Sequence, residues 1–127
     1  MGEVRAFSRF LPGLRNGSSG IRTKTAKSLC IYLESEARDL AMAEYTSVVS
    51  GISSCIIEMV LGSDIADRTG GIVAMDHLVD LFIADNNDSK IVEFAHALVK
   101  VFEKTSNNEL LTLRAAGKAL GHLVSSG

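Results

Sequence analysis

An all-α fold, a solenoid of about three antiparallel helix pairs, is predicted by three observations. Apolar residues recur at helical spacing along nearly the whole chain. Short polar or glycine-containing breaks interrupt them. Similar strings also return after 45 to 46 residues. The 127 residues suit one domain, and at 46% apolar they supply a core. With 6% aromatics, no tryptophan and one proline, the chain lacks the composition of a β-sandwich or a disordered tail.

Each element follows from its own pattern. Val4, Phe7, Leu11 and Leu14 are helix-spaced, but Pro12 lacks an amide donor and crowds the preceding turn, so the first helix is short or kinked. Residues 16–20 (NGSSG) read as a flexible turn. Ile21, Leu29, Tyr32 and Leu33 form a weaker second stripe, and a faint boundary falls at 39–43. Tyr45, Val48, Val49, Ile52, Cys55, Ile56, Met59 and Val60 line one face of a third helix. Residues 62–64 (GSD) then offer a stop and an N-cap. A fourth stripe holds Ile72, Met75, Leu78, Val79 and Phe82, followed by a polar loop at 85–88 (DNND). Ile91, Phe94, Leu98 and Phe102 form the fifth. After residues 105–108 (TSNN), Ser106 and Glu109 have capping-box spacing, and Leu110, Leu113, Leu120, Leu123 and Val124 form the sixth.

The helices group in twos. Residues 28–33 (SLCIYL), 74–79 (AMDHLV) and 119–124 (ALGHLV) align, each preceded by small residues. A period near 45 with two helices per unit is the pattern of HEAT and armadillo repeats, whose pairs bury their apolar faces by stacking. The chain divides approximately into repeats 3–41, 42–85 and 88–126 of a single HEAT/armadillo-like α-solenoid segment.

Little in the sequence points to catalysis. No phosphate-binding glycine loop occurs, and His77, His96 and His122 sit on three different helices without metal-ligand spacing. Cys30 and Cys55 replace apolar residues in their stripes and are expected to be inert buried thiols. Asp76 and Asp80, four apart, suggest a solvated acidic ridge. Thirteen basic against fifteen acidic side chains exclude a strongly basic nucleic-acid module. No uninterrupted run of 18 apolar residues marks a membrane span. No catalytic, cofactor-binding or metal residue is assigned.

Glycine is costly inside a helix unless a neighbour must come close. Gly70, Gly71, Gly117 and Gly121 are therefore expected to be close-packing positions. The first 27 residues carry six basic side chains and one acid, the remaining hundred seven and fourteen. Arg15, Arg22, Lys24 and Lys27 at the basic end, and Asp64, Asp67 and Arg68 at the turn of the second repeat, are the candidate partner contacts.

Three strings carry a resemblance: residues 14–45 (LRNGSSGIRTKTAKSLCIYLESEARDLAMAEY), 62–81 (GSDIADRTGGIVAMDHLVDL) and 110–127 (LLTLRAAGKALGHLVSSG). In this order and spacing they resemble the N-terminal HEAT repeats of the target of rapamycin (TOR) serine/threonine kinases, residues 63–78 most specifically. The resemblance implies a non-catalytic scaffold segment, an N-terminal fragment of a much longer kinase in nutrient and growth signalling. It implies contacts with protein partners such as a Raptor-like subunit. ATP and Mg belong only to the resembled full-length kinase, and no cofactor is expected here. A cytoplasmic location follows, with endomembrane surfaces reached through the parent complex. Self-association is expected too, because a repeat array that lacks a neighbour leaves apolar surface open. Two alternatives of other kinds are a free-standing HEAT/armadillo adaptor and a self-contained helical bundle. A third is a small enzyme with a His–acid pair.

Overall fold

The computed structural model describes residues 7–85, 87–104, 117–119 and 121–122. Every regular element among them is helical, as the periodicity predicts. The predicted capping box at Ser106 and Glu109, all five residues of the sixth stripe, and Val4 lie outside the described residues.

Phe7 and Ser8 are helical, the chain turns at Arg9 and Phe10, and helix α1 then covers Leu11–Leu14. Pro12 occupies the second position of α1, where a backbone amide has no partner within the helix, so its missing donor costs nothing. Helix α2, Ser19–Glu34, begins earlier than its apolar stripe suggests. Residues 16–18 are a capped turn: Asn16 Oδ1 accepts the Ser18 amide at 2.8 Å, and Ser18 Oγ accepts the Ile21 amide at 3.4 Å. Ala26, Leu29 and Leu33 are buried, whereas Ile21, expected in the stripe, is 44% exposed.

A 3₁₀ turn at Ala37–Asp39 resolves the faint boundary, and α3 runs from Met42–Leu61. Its N-cap, Ala41, supplies no side-chain hydrogen bond, which is why the sequence signals this start so weakly. Val48, Val49, Ile52, Ile56, Met59 and Val60 are buried as predicted. By length and composition α3 is apolar enough to cross a membrane, the only such helix among the described residues. In the fold it puts that apolar face into the core and exposes Ser47, Ser54 and Glu58.

Helix α4, Ile65–Ala84, is the centre of the fold, packing against α1, α2, α3 and α5 (Asp88–Lys104). The predicted stripe Ile72, Met75, Leu78, Val79 and Phe82 is buried, but so are Gly70, Gly71, Ala74 and Leu81. A helix covered on several sides is apolar on several sides, so a one-face reading undercounts its contacts. In α5, Phe94, Ala97, Leu98 and Val101 are buried, and Phe82 and Phe94 meet with ring centroids 5.3 Å apart.

The glycines divide. A Cβ at Gly70 would strike the Leu14 carbonyl oxygen of α1, and one at Gly71 would lie 2.7 Å from Val60 Cγ2 and 3.1 Å from the Ile56 carbonyl of α3. The two glycines thus let α4 approach two different helices. Gly121 differs: among the described residues nothing lies within 4 Å of a Cβ built there, and the residue is exposed, as is Gly117. Gly-x-x-x-Gly spacing puts two glycines on one face but does not say whether that face has a neighbour.

Candidate functional site

The candidate partner contacts come together in part. Asp64 caps α4 by accepting the Ala66 and Asp67 amides at 2.8 and 3.4 Å. Arg15, just beyond α1, places Nε 2.6 Å from Asp67 Oδ1 and Nη2 3.7 Å from Asp64 Oδ2. The basic end and the acidic turn, read from the sequence as two outward-facing patches, therefore partly satisfy each other. They rim a groove of about 390 Å³ whose floor includes Phe7, Leu11 and Met59. Arg22 turns back to donate to the Asn16 carbonyl at 2.7 Å. Lys24 and Lys27 are exposed along α2, and Arg68, one residue past Asp67, is half-buried.

The carboxylate of Asp64 has two tasks that can be separated. Asp64→Ala is expected to cost about 1–2 kcal/mol, because it removes the cap and one arm of the Arg15 pair. Asp64→Asn keeps a capping oxygen and is expected to recover most of that loss in urea unfolding. Equal losses in the two variants would make the ion pair, not the cap, the larger contribution.

A second cluster forms on the other side of α4. His122 Nδ1 lies 3.0 Å from Asp76 Oδ1, and its Nε2 lies 2.9 Å from Asp80 Oδ1. Lys118 Nζ stands 3.9 Å from Asp76 Oδ2. Asp76 and Asp80 are one turn apart on α4, so their carboxylates can bracket a single imidazole. The acidic ridge read from the sequence is thus occupied on the side facing His122. Carboxylates can accept from both ring nitrogens only when both carry protons. Accordingly the hydrogen bond to Asp76 raises the His122 pKa above its ordinary value, burial opposes this, and Asp80 adds to it. With both nitrogens engaged, His122 has no free lone pair to act as a base. It is a clasp between the C-terminal residues and α4. The repeat alignment shows His77 and His122 as equivalent positions, but not that His122 meets Asp76, the residue before His77.

The pH dependence follows. A group whose folded pKa is raised contributes stability that is full below its unfolded value and lost as pH rises through the folded value. Stability is expected to fall as pH rises above about 6.5, the ordinary imidazole value, and His122→Gln should remove that slope. Parallel pH profiles for the two proteins in urea unfolding would refute the clasp.

Two further clusters tie the first half together. Arg38 Nη2 reaches both oxygens of Asp85 at 3.1 Å, and its guanidinium lies 4.5 Å from the Tyr45 ring centroid. The Tyr45 hydroxyl donates to Asp85 Oδ2 at 3.1 Å, and burial with the Asp85 charge pushes its pKa up to about 12. Arg9 lies over Phe10 and Tyr32 and pairs with Glu36 at 3.2 Å. Cys30 and Cys55 are thiols outside any disulfide, half-buried rather than fully buried. Burial, with Glu34 and Asp80 nearby, pushes the Cys30 thiol up to about 12, so it stays protonated at neutral pH. Its Sγ donates to the His77 carbonyl at 3.4 Å, and His77 Nδ1 faces the Val73 carbonyl at 3.0 Å. His96 is exposed on α5. Among the described residues no group of three His, Cys, Asp or Glu is arranged to hold a metal ion.

Among curated proteins the chain is similar to the serine/threonine-protein kinase mTor of Drosophila melanogaster. The likeness is 25% identity over 80 residues, 63% of this chain and 3% of the kinase. The chain thus spans a small fraction of the relative it matches. No family model matches it, and no solved structure does.

Proposed function

We propose, from that partial likeness to a TOR-type kinase, that the chain is a non-catalytic α-solenoid scaffold segment making protein–protein contacts in a TOR-like assembly. The observation that carries the reading is a contact that repeats. Residues 30 and 76 are equivalent in the 46-residue register, and residues 77 and 122 are equivalent in the 45-residue register. Cys30 of α2 touches His77 of α4, and Asp76 of α4 touches His122 of the C-terminal residues. One pair of repeat positions thus makes consecutive inter-helix contacts, which supports stacking of successive units. The packing of α2 on α4 and of α3 on α5 supports the same arrangement.

In this reading the helices present side chains and perform no chemistry; phosphoryl transfer and its ATP and Mg belong to the resembled full-length kinase. The chain works in the cytoplasm, reaching endomembranes with its parent complex. Its partner is a Raptor-like subunit, and self-association occurs when that partner is missing.

The test is size-exclusion chromatography of the purified chain with a purified Raptor-type subunit at micromolar concentration. Co-elution is expected, and charge reversal at the exposed Lys24 and Lys27 should weaken it. Separate elution would overturn the assignment. An experimental structure in which α5 and the C-terminal residues close onto α1 would favour the self-contained bundle.

A further inference from the structure

The C-terminal halves of α2 and α4 enclose a groove of about 380 Å³. Its apolar wall is formed by Ile31, which is 62% exposed, and by the exposed Ala84, with Leu81 beneath them only 5% exposed. Glu34 and Asp80 stand at one end, and Lys27 lies seven residues before Glu34 on α2, about 10 Å along the helix. The acidic end gathers more negative potential than its two carboxylates supply. Both α2 and α4 end there, and neither carries a basic residue in its last turn to offset the partial negative charge of a helix C-terminus. Arg38, four residues past the end of α2, is held by Asp85. His122 offsets part of Asp80 through one oxygen, yet the Asp80 side chain remains 75% exposed. The thiol of Cys30, also in this groove, resists ionisation first because it is buried and then because of the Glu34 and Asp80 charges.

We propose that this groove docks an amphipathic helical segment of a partner protein, with aliphatic side chains on the exposed Ile31 and Ala84 and a lysine or arginine against Glu34 and Asp80. The inference rests on the reading of the chain as a protein-binding scaffold and adds the chemistry of one partner element. Polarity sets direction. With Lys27 at one end and the acids at the other, a bound helix places its basic end over the C-termini of α2 and α4 and its acidic or neutral end beside Lys27. The exposed Ile31 contributes little to folding and has apolar area to lose on binding.

The probe is a fluorescein-labelled synthetic helix of leucine and lysine in heptads, titrated with the full 127-residue chain and read by anisotropy. Micromolar binding is expected, about 5–10-fold weaker for Glu34→Lys and for Ile31→Ser. Methyl signals of Ile31 and Leu81 should shift on binding, and a leucine–glutamate helix should not bind. Glu34 and Ile31 are both exposed, so circular dichroism is expected to show folded variants. No binding, unchanged affinity in both variants, or shifts confined to other methyl groups would overturn the groove. If the chain still co-elutes with the Raptor-type subunit in that event, the groove fails and the scaffold reading stands.

Discussion

Phe82→Ala is expected to lower the unfolding free energy by about 3–5 kcal/mol, the largest effect of any single truncation considered. Phe82 is 1% exposed and lies near the end of α4, where its ring meets Phe94 of α5, itself fully buried. Removing the ring takes away its transfer free energy and leaves a cavity that the neighbouring helices can only partly fill, because the Phe94 ring is fixed from the opposite side. The Asn87 amide also bonds the Phe82 carbonyl at 2.8 Å, so the α4–α5 connection is anchored at this residue. Urea unfolding monitored by circular dichroism measures the loss. Met42→Ala is the control, since Met42 is 80% exposed and its truncation should stay within about 0.5 kcal/mol. Similar losses in the two variants would mean that α4 and α5 do not share a packed core.

Gly70→Ala is expected to destabilise by about 1–3 kcal/mol, although alanine favours an isolated helix by about 1 kcal/mol. The new methyl would meet the carbonyl oxygen of Leu14, a backbone atom that cannot rotate aside as a side chain can. Relief requires α1 to move off α4, and Leu14, fully buried, would lose its seat. Gly121→Ala should have the opposite sign, since among the described residues nothing lies within 4 Å of its added methyl and the helix preference remains. Thermal unfolding of the two variants side by side checks this. Destabilisation by both would restore the close-packing reading at Gly121, and stabilisation by both would remove it at Gly70.

These two cases mark how much the sequence reveals. Most of the stripe in α3 was legible because one face of that helix is buried and the other is wet, though Tyr45 and Cys55 are only half-buried and the buried Ser53 lies outside the stripe. The same method captured only part of α4, whose burial extends around the helix. It placed Ile21 in a core that it does not reach. Caps followed local chemistry: Asp64 was readable as a stop-and-start signal, Ser18 hid inside a run read as flexible, and Ala41 gave no signal because its helix starts uncapped. At the candidate sites, residue types were legible and pairings were not. Arg15, Asp64 and Asp67 were named as outward contacts, but Arg15 folds back onto the two acids about fifty residues away. Sequence shows His122 and the Asp76/Asp80 pair as separate features, and only the fold joins them.

What the sequence determined by itself is therefore local: that the chain is helical, where most helices start and stop, and which residue types recur at the repeat interval. Those properties depend on interactions within a few turns of one helix, where spacing along the chain equals spacing in space. Tertiary structure alone decided that α4 is the hub, which glycines admit a neighbour, and which charges neutralise one another. These outcomes depend on how separate helices are oriented, and a difference of one side chain's reach decides whether two distant residues meet or face water.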